Sequence, residues 1–183
     1  MAGDSPFTVK IGGRVQYSAQ LVALWWDAKQ IPERHGVSIR SCLGRRVPTA
    51  PGVYAVSGRH DAQAGETVLY IGKADNLRAR VPRSLTKSLY EDHAFGQRTL
   101  YSDIWDLTIR WARLEIDLIE PIERLLLMSH SPPFNSQLVR LEPPKVREHP
   151  YVVMSAGRKG PLLPIVAGAY QAPWQNGNKM IHP

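Results

Sequence analysis

Cysteine is nearly absent from this chain: Cys42 is the single one among 183 residues. That excludes a disulfide framework and a multi-cysteine zinc site. It makes a reducing, cytoplasmic setting the default expectation. No window approaches about 18 uninterrupted apolar residues, so no membrane-spanning helix is expected. The opening MAGDSPF lacks the basic run and apolar stretch that mark a signal peptide. Internal repeats and low-complexity tracts are missing too.

What is present is a globular composition with a charge excess. Hydrophobic residues make up 43% and charged residues 21%, ordinary for one domain with appendages. Lys and Arg exceed Asp and Glu by 7, which favours a polyanionic partner, chiefly nucleic acid. The excess is uneven: residues 1–48 carry +4, residues 49–139 carry −1, and residues 140–183 carry +4. This division predicts a near-neutral central module, 49–139, between a basic N-terminal extension, 1–48, and a basic C-terminal extension, 140–183. The first extension is expected to act as a DNA-contact arm, binding phosphate through counterion release. Pro48 and Pro51 precede the central module, and Pro132, Pro133, Pro143 and Pro144 follow it.

Local patterns give a coarse element order. Val15 to Gln30 has apolar residues at 17, 21, 22, 24, 25 and 26 and ends at Ile31-Pro32, which predicts a loose helix. Gly52–Val56 and Thr67–Ile71 are β-prone runs around a turn-rich stretch, Ser57–Glu66, which predicts an antiparallel hairpin. Asp75 or Asn76 can cap a helix through Leu77, Val81 and Leu85, with Pro82 near its first turn or kinking it. Leu107 to Ala112 alternates as a third strand. Pro121 is expected to open a helix from Ile122 to His130 that Ser131-Pro132-Pro133 ends. Tyr151–Met154 and Leu162–Ala169 are further β-prone pieces. The fold class predicted is α+β with a small sheet.

The central module also holds a set of groups suited to one chemistry. Cleaving a phosphodiester requires an aimed, deprotonated water, an offset for the phosphate charge, and stabilisation of the leaving oxygen. Arg and a carboxylate-held metal ion serve the last two needs, and a Tyr next to a cation can relay a proton. The candidates are Tyr54, Tyr70, Lys73, Arg80, Glu123 and Asn135. Taken singly, each has a plain structural reading. The tyrosines are half-buried strand aromatics, Arg80 and Lys73 solvated charges, Glu123 a helix-surface charge, and Asn135 a turn residue.

Their order carries more. The chain reads Gly52-Val53-Tyr54, then Leu69-Tyr70-Ile71-Gly72-Lys73-Ala74, then Asn76-Leu77-Arg78-Ala79-Arg80. Glu123-Arg124-Leu125-Leu126-Leu127 and Pro132-Pro133-Phe134-Asn135 follow. This arrangement resembles the GIY-YIG nuclease superfamily over residues 51–137, about half the chain. It has both name-giving motifs, an Arg ten residues past the second Tyr and a Glu twelve residues before an Asn. The resemblance implies a three-stranded antiparallel sheet flanked by helices, and a metal-dependent DNA endonuclease acting on double-stranded DNA. By that resemblance Tyr54 is a general base or proton relay, Tyr70 lies near the attacked phosphate, and Gly72 permits close approach of backbone and substrate. Lys73 is a nearby cation, Arg80 contacts the scissile phosphate, Glu123 is the metal-binding carboxylate and Asn135 braces the site. One carboxylate suits Mg²⁺, or Mn²⁺ in its place, because such an ion keeps several waters. Arg78 is a substrate-binding candidate on the same helix.

Two features depart from the superfamily pattern. Ser84 stands where many members have a His or Tyr, with the loop residue His93 a weak substitute. Ser57–Glu66 also lengthens the first hairpin. Glu120 is read as a helix-start charge rather than a second metal ligand, and His130 as a packing or capping residue. Trp25, Trp26, Trp105, Trp111 and Trp174 are assigned mostly to the core, and Cys42 has no nucleophile context. Arg40, Arg45 and Arg46 are the leading DNA contacts, ahead of Arg147, Arg158 and Lys159. A compact chain with flanking arms resembles restriction-type members most, and would cut both strands as a homodimer. A structure-specific or repair nuclease is the alternative within enzymes, and a non-catalytic DNA-binding module the alternative outside them.

Overall fold

The computed structural model describes residues 7–11, 15–31, 43, 45–60, 64–90, 104–135 and 151–168. Strands β1 (Phe7–Ile11), β2 (Val15–Gln30), β3 (Gly52–Arg59) and β4 (Thr67–Ala74) come first, then helix α1 (Leu77–Tyr90). Strand β5 (Trp105–Arg113), helix α2 (Ile116–His130) and strands β6 (Tyr151–Gly157) and β7 (Ile165–Gly168) complete the order. The class is α+β, as expected.

The sheet is larger than expected. The predicted three strands form its β4-β3-β5 part, joined antiparallel. Beyond β5 the order continues β2-β6-β7, with β1 paired to β2, so seven strands are linked rather than three. The additions come from the flanks: β2 pairs antiparallel with β5 and parallel with β6.

The predicted helix over Val15–Gln30 is therefore strand β2. Val22, Leu24, Trp26 and Ala28 are buried while Leu21, Ala23, Trp25 and Asp27 are exposed, which is the period of two of a half-buried strand. The helical pattern arose because exposed apolar residues, Leu21 and Trp25, fall on the outer face and blur the alternation.

Strand β3 is buried on both faces, which explains its unbroken apolar run. Val53 and Ala55 pack in one cluster with Ile119, Ile122 and Leu126 of α2. Tyr54 and Val56 pack in another with Leu77 and Val81 of α1 and Leu43 and Val47 of the preceding segment. Burial of each such aliphatic side chain contributes about 1.5–3 kcal/mol. The sheet thus lies between the two helices, and alternate residues of β3 and β4 address opposite sides.

Three boundaries differ from expectation. Helix α2 starts at Ile116, and Pro121 lies inside it rather than at its first position. The bond Pro121 cannot donate would go to the carbonyl of Asp117, an exposed first-turn residue that water can reach. Pro82 lies inside α1, in its second turn. The turn-rich Ser57–Glu66 begins as strand: Ser57 is buried and donates to Glu66 Oε1 at 2.6 Å, while the buried Arg110 pairs with Glu66 at 2.8 Å and donates to Ser57. That polar network holds both ends of the insertion against β5.

Candidate active site

Strand β4 is an edge of the sheet, and the candidate residues gather around it. On the α1 side, Tyr54 from β3 and Tyr70 from β4 lie with ring centroids 5.9 Å apart and tilted at 35°. Tyr54 is fully buried, and Tyr70 is partly exposed. The pairing register sets Tyr54 opposite Gly72. A Cβ at Gly72 would lie 2.7 Å from the Tyr54 ring carbon Cζ. The missing side chain is thus the space that the Tyr54 ring fills as it leans over β4.

Arg80, one turn into α1, meets both phenols. Helix α1 starts where Asn76 Oδ1 accepts the Ala79 N–H at 3.1 Å, the cap the sequence suggested. Tyr54, ahead of partial burial and of Tyr70, raises the guanidinium's already high pKa, so Arg80 stays charged. Tyr70 moves the other way from a cation-activated phenol. Burial first, then its hydrogen-bonded neighbour Tyr54, pushes its pKa up, and the opposing pull of Arg80 does not reverse that. Tyr70 is therefore a protonated hydrogen-bond donor at neutral pH.

On the α2 side of the same edge, Lys73 reaches two carboxylates. Its ammonium lies 3.3 Å from Glu123 Oε2 and is hydrogen-bonded to Glu120. Glu120 also pairs with Arg124 at 2.7 Å. Glu123 is buried, and that burial raises its pKa despite Lys73. The hydrogen bond from Lys73 lowers the pKa of Glu120. The two carboxylates together raise the pKa of Lys73 against its desolvation. Glu120 is thus not a helix-start charge: it is the fifth residue of α2 and shares Lys73 with Glu123. The sequence signal for it was the three-residue spacing on one helix face.

Asn135 fastens the edge itself. Its Oδ1 accepts the Ile71 N–H at 2.9 Å and its Nδ2 donates to the Ile71 carbonyl at 2.7 Å. The neighbouring Phe134 N–H donates to the Leu69 carbonyl at 3.0 Å. The turn after α2 starts at Ser131, in the left-handed region with φ 43°, and brings these two residues alongside β4.

Other candidates lie apart. Arg78 donates to the carbonyls of Val47 at 2.8 Å and Arg45 at 3.3 Å, tying α1 to the segment that exposes Arg45 and Arg46. His130 Nδ1 bonds the Leu126 carbonyl at 2.8 Å while Nε2 accepts the Leu163 N–H at 3.0 Å. Trp26 and Trp111 are buried, whereas Trp25 is 75% and Trp105 51% exposed. Arg158 is exposed and Lys159 half-buried. Arg40, Cys42, His93, Arg147, Trp174 and the side chain of Ser84 lie outside the described residues. No helix among the described residues is long and apolar enough to cross a membrane.

Residues 50–136 match the UvrC-like GIY-YIG domain family. The chain belongs to the GIY-YIG nuclease superfamily. Within it, this GIY-YIG chain is 34% identical over 137 residues to the UvrABC system protein C of a Psychrobacter species, covering 75% of this chain and 19% of that protein. It is 32% identical over 119 residues to the protein of that name from Bdellovibrio bacteriovorus, covering 65% and 17%. For the Thermobifida fusca counterpart the identity is 29% over 126 residues, covering 67% and 17%. The match thus takes in less than a fifth of the length of these curated relatives. No solved structure matches the chain at a significant level.

Proposed function

We propose that the GIY-YIG domain hydrolyses DNA phosphodiester bonds, with structure-specific or repair-type incision as its role. The observation that carries this is one strand edge flanked by a Tyr–Tyr–Arg cluster and by a lysine-paired buried carboxylate. Similarity to UvrABC system protein C supports the repair reading over the restriction-type one.

In this reading Arg80 binds a non-bridging oxygen of the scissile phosphate and offsets its charge. Tyr70 keeps its proton and donates to the same phosphate group. Tyr54, hydrogen-bonded to Tyr70, takes a proton from the attacking water as it passes its own to the Arg80-bound phosphate oxygen. Gly72 holds the Tyr54 ring in place, and Asn135 fixes the height of β4 relative to α2. Arg45 and Arg46 add phosphate contacts outside the site, with Arg78 holding their segment against α1.

A divalent metal ion fits these residues in a limited way. Among the described residues no group of three His, Cys, Asp or Glu side chains can hold a metal ion. Glu123 offers one carboxylate that already accepts a cation, the Lys73 ammonium. Such a donor set suits an ion that keeps most of its waters, Mg²⁺ or Mn²⁺, held by Glu123. Bound there, the ion would supply positive charge for the leaving oxygen.

The test incubates the chain and its Glu123→Ala variant with supercoiled plasmid and with lesion-bearing or branched duplexes, in Mg²⁺ or EDTA. Nicking confined to damaged or branched DNA, lost in Glu123→Ala, is the expected result. Discrete double-strand bands from plain plasmid would favour the restriction-type reading, which needs a homodimer. DNA shifted but uncut by both proteins would leave a binding module and refute the enzyme.

A further inference from the structure

Lys73, Glu120 and Glu123 form a three-membered set in which one cation serves two anions. The two carboxylates stand three residues apart on one face of α2, and Lys73 reaches them across the gap from β4. Their surroundings differ. The Glu123 side chain is 9% exposed, and that of Glu120 is 52% exposed and anchored by Arg124. An ammonium and a divalent ion cannot share one carboxylate oxygen at this range without strong repulsion. A divalent ion that takes Glu123 Oε2 must therefore move Lys73.

We infer that Lys73 is a built-in competitor for the metal at Glu123, and that Glu120 is the positioning residue that receives it when the metal enters. The inference rests on the proposed role of Glu123 as the metal-holding carboxylate. Lys73 already touches both acceptors, so the exchange requires only rotation about side-chain torsions, with no backbone movement. Arg124 keeps the Glu120 carboxylate in place to receive it. Before metal arrives, the ammonium compensates the charge of a carboxylate that burial has taken out of water. Glu120 acts on metal binding solely through Lys73 and is not itself a ligand.

The experiment measures Mn²⁺ binding to the full chain without DNA, from the loss of the free-ion electron paramagnetic resonance signal. Circular dichroism melts verify folding of each variant. Lys73→Met is expected to bind Mn²⁺ about tenfold more tightly, the fold-change that goes with removing one partly buried ion pair. Lys73→Gln, a second neutral replacement, should agree and stands in if Lys73→Met does not fold. Glu120→Gln is expected to weaken Mn²⁺ several-fold, because Lys73 then rests on Glu123 alone. In the Lys73→Met background Glu120→Gln should change nothing. Equal weakening in both backgrounds would make Glu120 a direct ligand and overturn the inference. So would neutral Lys73 variants that bind no more tightly than the parent. Glu123→Gln separates the two layers: if it leaves Mn²⁺ binding unchanged, the metal reading of Glu123 fails and the inference with it. If it abolishes binding while the Lys73 variants do not tighten it, only the inference fails.

Discussion

Gly72→Ala adds one methyl group, and the structure says where that methyl must go. The new Cβ would lie 2.7 Å from Tyr54 Cζ, 2.8 Å from its hydroxyl oxygen and 2.9 Å from Cε1. Carbon atoms in contact prefer separations of about 3.5–4.0 Å, so the ring must retreat. It is fully buried among Leu77, Val81 and Trp111, which leaves it little room. Gly72 is not among the positive-φ glycines, so alanine suffers no backbone penalty there and the clash stands alone. Overpacking of this kind costs about 1–3 kcal/mol, or about 2–12 °C in Tm for a chain of this size. The kinetic loss should be larger than the stability loss suggests. A phenol displaced by about 1 Å from its partners costs up to about 100-fold in rate. A double-mutant cycle with Tyr54→Ala isolates the contact, read by thermal melts and single-turnover cleavage. With the ring removed, Gly72→Ala should be neutral or stabilising by about 0.4–1 kcal/mol through the unfolded chain. If Gly72→Ala destabilises equally in both backgrounds, the reasoning about this glycine is wrong.

Asn135→Ala leaves the Ile71 N–H and C=O without their side-chain partners, a loss of about 1–3 kcal/mol. It should appear as a lower denaturant midpoint with an unchanged m-value. Tyr70 has a folded pKa raised above its ordinary value of 10.0. The unfolded phenol therefore ionises first, and the contribution is complete below pH 10 and lost as pH rises beyond it. Tyr70→Phe should flatten that alkaline decline in a pH series of urea melts; an unchanged decline would place the titration elsewhere. Neutralising Arg45 and Arg46 should weaken DNA binding and lower its salt slope by up to about 2. Arg80→Ala should instead chiefly reduce single-turnover cleavage, with the salt slope lowered by no more than about 1. If the two variants behave alike, binding and chemistry are not divided between these parts of the chain.

The parts legible in the sequence were those with local causes. The β3–β4 hairpin, the Asn76 cap and the stop at Ser131 each depend on a few adjacent residues, and all are present. Strand β2 was hidden because its outer face bears Leu21 and Trp25, so burial alternates although hydrophobicity does not. Its place between β5 and β6 depends on partners more than 75 residues away, which no local window samples. The seven-strand sheet was illegible for the same reason. Within the site, residue types pointed to Tyr54, Tyr70, Arg80, Glu123 and Asn135, and all five lie around β4. Glu120 was misread as a helix-start charge because its meaning comes from Lys73, which is 47 positions away and reaches it from another element.

The second motif itself reduces to alternation along an edge strand. Tyr70 and Gly72 belong to the α1 side, where one supplies a phenol and the other yields its space to the Tyr54 ring. Ile71 and Lys73 belong to the α2 side, where one enters the core with Ile122 and the other reaches Glu120 and Glu123. Successive strand residues point to opposite faces, so four consecutive positions serve two different chemical environments, and one ligand can reach both sets only around an open rim. An interior strand would separate the two sets by the full width of the sheet. An open rim, however, exposes unpaired backbone groups that invite pairing with another chain. Phe134 and Asn135 answer that hazard by bonding Leu69 and Ile71 from outside. The brace therefore does two things at once: it closes the edge to strand addition, and it holds the phenols and carboxylates at a fixed separation across it. A shift of β4 by one residue would send every one of these side chains to the wrong side, so the fit between Tyr54 and Gly72 is also what sets the register on which the site depends.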